Sequence, residues 1–220
     1  MGLYAYCVVP ASRGPPAALR GVAGEYVRGL PAGGLCVWVG EMVRAPTPSM
    51  EAVRAHNAVA VAAMEAGVTP LPLRFGQWVG DAGTLEQGIA GRAGEYAAAL
   101  ERVSDAAEFG IRVIEPAAEA RGEAAAASGR LYLERLAARR AARSRLVARL
   151  EVALRERIGE LVRAQRVDAR DSPHGVVSVG HLVALDRADD YCRAAHSLRA
   201  DLPELRFLFS GPWPPYSFAP

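Results

Sequence analysis

At 220 residues and 51% hydrophobic, the chain is long and apolar enough to bury a full core without disulfide or metal staples, as one large domain or two small ones. A formal net charge of +2, carried on the basic side entirely by Arg, argues against a dedicated nucleic-acid binder, and no apolar run is long enough to cross a bilayer. Cys7, Cys36 and Cys192 are far apart, odd in number and set in apolar stretches, which points to buried reduced thiols and away from a disulfide framework or a metal knuckle, and the first residues, with no basic n-region or cleavage pattern, read as those of a cytoplasmic chain.

In chain order, residues 3–9 and 35–44 are apolar, aromatic and β-branched, bounded by Pro and Gly, and read as strands. Residues 15–30 between them are a short helix candidate, weakened by Gly21 and Gly24. Thr47-Pro48-Ser49 starts a helix over 50–66 with one apolar face, and Gly67 stops it. Leu71-Pro72-Leu73-Arg74-Phe75-Gly76-Gln77-Trp78-Val79 returns to strand character, with Pro72 favouring an edge or a bulge. A second long helix is expected over 84–104, with Leu85, Ile89, Tyr96, Ala97 and Leu100 at near-helical intervals.

Residues 108–115 read as a strand, 116–129 as an Ala/Gly-rich joint, and 131–164 as a long helix whose Leu146, Leu150, Leu154, Ile158 and Leu161 keep to steps of three and four. Such a helix would be roughly 50 Å long, so part of it must project or find another partner. Its many arginines offer a basic face that could touch phosphate or membrane, but their interleaving with Glu134, Glu151, Glu156 and Glu160 at helical spacing favours a solvated face. Strands at 166–171 and 175–185, joined by the turn residues of Asp171-Ser172-Pro173-His174-Gly175, precede a helix at 187–200 and a last strand at 205–210. The fold class expected is therefore α+β in two domains, 1–106 and 107–220, the second with the βαββαβ order of a ferredoxin-like domain modified by its long helix.

Chemistry is sparse. His56, His174, His181 and His196 show no metal-binding spacing, no Gly-rich loop has the follower needed to hold phosphate, and no nucleophile–base pair can be assembled, so neither catalytic residue, metal nor cofactor is expected. The unusual feature is the end of the chain. Gly211-Pro212-Trp213-Pro214-Pro215 removes three backbone donors and should stop the last strand, and Trp213, Tyr216 and Phe218 carry more apolar area than a free terminus should expose. Either these rings fill a groove of their own molecule or they dock a partner.

The terminal Gly211-Pro212-Trp213-Pro214-Pro215-Tyr216-Ser217-Phe218 resembles the closing signature of the gas vesicle protein L/F family. Leu3-Tyr4-Ala5-Tyr6, Ala55-His56-Asn57 followed by Leu71-Pro72-Leu73-Arg74-Phe75-Gly76, and Ser128-Gly129-Arg130-Leu131-Tyr132-Leu133 agree in order, so the likeness covers essentially the whole chain. His181 departs from it, standing where members tend to have an aromatic before Leu-Val. The resemblance implies two α+β domains and a non-enzymatic part in building gas vesicles, cytoplasmic protein shells that hold gas. The implied partners are the major shell protein and other accessory proteins, not nucleic acid or lipid. Partner-binding or interdomain residues are then expected at Arg74, Phe75, Gly76, Trp78, Gly211, Pro212, Trp213, Pro214, Pro215, Tyr216 and Phe218. Arg74 is expected to pair with Glu51, Glu65 or Asp81. The alternative is a small ferredoxin-like enzyme, an oxygenase or isomerase, using His181 or His56 as acid or base.

Overall fold

The computed structural model describes residues 1–114, 129–168 and 176–220. The joint expected at 116–129 and the turn at Asp171–Gly175 lie outside the described residues except for Gly129. The chain is α+β and divides into two compact units, residues 1–108 with 211–220, and residues 109–210. The first joint falls two residues beyond the boundary expected from sequence. The tail, expected with the second domain, groups with the first.

In the first unit, β1 (Gly2–Pro10), β2 (Val27–Ala32), β3 (Leu35–Met42), β4 (Leu71–Pro72) and β5 (Trp78–Val79) form an antiparallel sheet in the order β2-β3-β1-β4, with β5 also on β1. Residues 2–9 are all buried, as a central strand covered on both faces requires. A bulge between Ala5 and Cys7 returns Cys7 and Val9 to the face that carries Tyr4 and Tyr6. These four side chains share one core cluster with Trp38, Val59, Ala63 and Val68.

The helix α1 (Met50–Glu65) starts and stops as its sequence predicts. The Ser49 hydroxyl accepts from the Ala52 N–H at 3.0 Å. Gly67, at φ +75°, donates to the Met64 carbonyl while Val68 donates to Ala63, and Val68 then packs beside Ala63.

Three sequence expectations fail in this unit. No helix forms over 15–30: Arg20 bridges Tyr26, and β2 pairs with β3 through a two-residue Gly33-Gly34 turn. Both turn glycines have positive φ, as a hairpin of this length demands. The strand at 71–79 is two short pieces, split by a turn whose Gly76 has φ +97°. The long helix at 84–104 is two, α2 (Ala82–Ala90) and α3 (Ala93–Val103), parted where Gly88, Gly91 and Gly94 weaken helix propensity.

In the second unit the elements run β6 (Ala106–Ile114), α4 (Gly129–Ile158), β7 (Val162–Asp168), β8 (Val176–Ala184), α5 (Ala188–Asp201) and β9 (Arg206–Trp213), with β6 and β9 crossing its limits. The sheet order is β7-β8-β6-β9, which a split βαβ connectivity produces. Leu146, Leu150, Leu154 and Ile158 of α4 are buried at steps of four. Arg157 makes a two-pronged ion pair with Asp201 of α5. Before Leu146 the described side chains of α4 are exposed, apart from a half-buried Leu136.

Two boundaries differ from expectation here. The helix ends at Ile158, short of the expected 164, because Gly159 follows and Ala164 is drawn into the ladder opposite Leu182. The last strand runs to Trp213 and does not stop at Ser210. β9 is an edge strand, the position in a sheet where proline is tolerated.

Candidate functional site

The tail separates into two sets of side chains within the first unit. Pro214, Pro215 and Phe218 are buried, and the Ser217 N–H and hydroxyl both donate to the Glu108 carboxylate at 2.8 and 2.6 Å. Trp213 and Tyr216, in contrast, are 45% and 37% exposed. Burial, helped by Cys7 and Tyr4, nevertheless raises the pKa of the Tyr216 phenol.

Trp213 and Tyr216 form one wall of an open groove of about 590 Å³. The other wall is α1, through Val53, Arg54, Asn57, Ala58, Val61 and Glu65. Both Val53 and Ala58 are exposed, so α1 carries apolar groups on its outward face as well as on the buried one that holds Val59, Ala60 and Ala63. Reading 50–66 as a helix with a single apolar face missed this wall. The available signal was that Val and Ala occupy every side of the helix, leaving no continuous polar face.

The other candidate segment is pinned from below. The His56 Nε2–H donates to the Leu73 carbonyl and its Nδ1 accepts from the Tyr4 hydroxyl, both at 2.9 Å, while that hydroxyl accepts from the Gly76 N–H at 3.1 Å. Phe75 meets the Tyr4 and His56 rings edge-on, and Trp78 donates to the Met42 carbonyl at 3.4 Å. Phe75, Gly76 and Trp78 thus hold the turn to the core. Arg74 is exposed, and no ion pair with it is found among the described residues. The expected pair with Asp81 fails because that carboxylate caps α2 through the Thr84 N–H and hydroxyl, both at 2.8 Å.

Among the described residues, neither histidine considered as acid or base lines one of the grooves. His181 is fully buried, donates from Nε2 to Gln165 Oε1 at 3.1 Å and accepts at Nδ1 from the Tyr191 hydroxyl at 2.8 Å; burial lowers its pKa to about 4. Burial also lowers that of His56, against the opposing effect of the Leu73 carbonyl. Two further grooves, one of about 520 Å³ near Glu25, Glu41 and Arg44 and one of about 540 Å³ between α4 and α5, are lined by neither. Among the described residues no cluster of His, Cys, Asp or Glu could hold a metal ion, and no helix is long and apolar enough to cross a membrane.

The chain is 29% identical to gas vesicle protein L of Streptomyces sp. (strain CB03234), over 98% of its own length and 92% of that relative's. It is 27% identical to gas vesicle protein F of the same strain, over 99% of each chain. In fold it matches the crystal structure of GvpF from Microcystis aeruginosa with a TM-score of 0.79 at 18% identity, covering 100% of this chain and 99% of that one. The GvpF structure from Anabaena sp. PCC7120 gives 0.77 at 17% identity, covering 100% and 96%. The family model described as gas vesicle synthesis protein GvpL/GvpF matches residues 2–220, and with that span the chain belongs to the GvpL/GvpF family of gas vesicle proteins.

Proposed function

We propose that this protein is a non-catalytic accessory or minor structural component of gas vesicles, acting in the cytoplasm and on the vesicle. It binds the major shell protein, alongside other accessory proteins, to support assembly. The observation that carries this reading is the groove between α1 and the tail, where Trp213 and Tyr216 stay partly exposed although Pro214, Pro215 and Phe218 beside them are buried. An exposed apolar patch centred on large aromatics is the usual mark of a protein-binding surface. The enzyme reading is less well supported, because both candidate histidines are buried with both ring nitrogens engaged.

The test is co-expression of the Trp213→Ala, Tyr216→Ala double variant with the shell protein, followed by pull-down and flotation of vesicles. Melting of the double variant within a few degrees of the parent, with loss of association in both soluble and vesicle fractions, is the expected outcome. Undiminished association would remove the groove from the partner surface.

A further inference from the structure

The walls of the α1–tail groove restrict what it can hold, and the inference drawn from them rests on the partner-site reading above. An extended segment binds a protein chiefly by adding to a strand edge, which needs a row of free backbone donors and acceptors. Neither wall supplies one. The backbone of α1 is spent on its own helix. The tail contains Pro212, Pro214 and Pro215, which have no N–H, and its Tyr216 and Phe218 N–H groups are taken by the Pro214 and Pro215 carbonyls at 2.8 and 3.1 Å. An extended occupant would find no backbone partners along these walls, whereas a helix brings its backbone already satisfied.

The side chains fit the same shape. Val53, Ala58 and Val61 give the α1 wall its apolar groups, with the small Ala58 allowing close approach and Asn57, midway between the two valines, offering one polar contact. At the two ends stand Arg54 and Glu65, both exposed and both without an ion-pair partner among the described residues. Eleven residues separate them along α1, about 16 Å at 1.5 Å per residue, or three helical turns. We propose that this groove receives an amphipathic helix of a partner protein, bearing an apolar stripe of about three turns with an acidic side chain at one end and a basic one at the other.

Labelled synthetic 18-residue peptides with one Leu/Ala face test this by fluorescence anisotropy against the full chain. One has Glu and Arg eleven residues apart beside that face; the second has Arg at both places; the third is the first with two central residues replaced by proline. The Glu/Arg peptide should bind best, and the proline-broken one should not bind. Arg54→Glu should shift the preference to the Arg/Arg peptide, each change amounting to about threefold to fivefold at low salt, since exposed pairs are weak and screened. Trp213→Ala with Tyr216→Ala should weaken binding at least about thirtyfold. Ala58→Arg, on the exposed face of α1, should block the groove without disturbing the tail.

Equal binding of the broken peptide, or a charge preference unmoved by Arg54→Glu, would overturn the helix proposal. So would failure of all three peptides while the double variant still loses the shell protein; the partner-site reading would then survive alone. If the peptides follow the charge rule but the double variant still captures shell protein, the helix site stands and the partner is another protein.

Discussion

At the scale of single residues, His181 shows how burial turns an ordinary side chain into a source of acid sensitivity. Its unfolded pKa is near 6.5 and its folded value about 4, so between those limits the unfolded chain binds more protons and stability must fall as pH falls. The loss should begin near pH 6.5, level off near pH 4 and total on the order of 3 kcal/mol. His56 adds to it in the same direction. Urea unfolding at pH 7 and pH 5 checks this. His181→Phe, which restores an aromatic where the family resemblance expects one, should flatten the pH dependence even if it leaves Tyr191 and Gln165 without their partner. A profile equally steep in the variant would place the acid sensitivity elsewhere. Arg74 gives the opposite lesson. An exposed guanidinium with no ion pair among the described residues contributes little to stability, so Arg74→Ala should leave the melting temperature within about 1–2 °C. If vesicle formation is lost all the same, Arg74 belongs to a partner surface.

At the scale of elements, the Gly33-Gly34 turn decides the register of β2 on β3 and with it which of the β2 side chains reach the core. Both glycines have positive φ, and nothing crowds a side chain at Gly34. Gly34→Asn should therefore be nearly neutral, whereas the β-branched Gly34→Val should cost about 1–2 kcal/mol in chemical denaturation. Equal stability of the two variants would show that the turn does not hold this conformation in solution. The same turn shows where the hairpin signal over this region lies: the Gly-Gly pair falls between 30 and 35, just beyond the 15–30 segment that reads as a weak helix candidate. Helices such as α1 were legible because cap and stop signals are local. The division of 84–104 was not, since glycine only weakens a helix and packing determines whether it breaks.

At the scale of the whole molecule, the tail closes the first unit with the last ten residues of the chain. Its buried and exposed rings should respond differently. Phe218→Ala removes a ring only 7% exposed and should cost about 3–5 kcal/mol, a large share of a total stability of about 5–15 kcal/mol. Trp213→Ala alone should cost about 1 kcal/mol or less, as expected of a half-exposed side chain. Deleting everything after Ser210 should then behave like the Phe218 variant or worse, with early melting and aggregation of the isolated chain. Thermal unfolding of the three variants checks the order, and a truncated chain that melts like the parent would mean that the tail contributes nothing to the fold.

The sequence by itself determined the α+β class, the central strands, the limits of α1, the βαββαβ order of the second half and the family likeness carried by the terminal signature. Each depends on signals within a few residues of one another: caps, apolar period and an unusual run of Pro and aromatics. It also showed that Trp213, Tyr216 and Phe218 needed cover, but not which of them would find it. Only the tertiary structure separated a buried Phe218 from an exposed Trp213 and Tyr216, and set the latter two opposite Val53 and Val61 of a helix some 150 residues earlier. The reason is geometric. Whether a side chain is covered depends on what the rest of the chain brings to it, and no local pattern encodes a neighbour that distant.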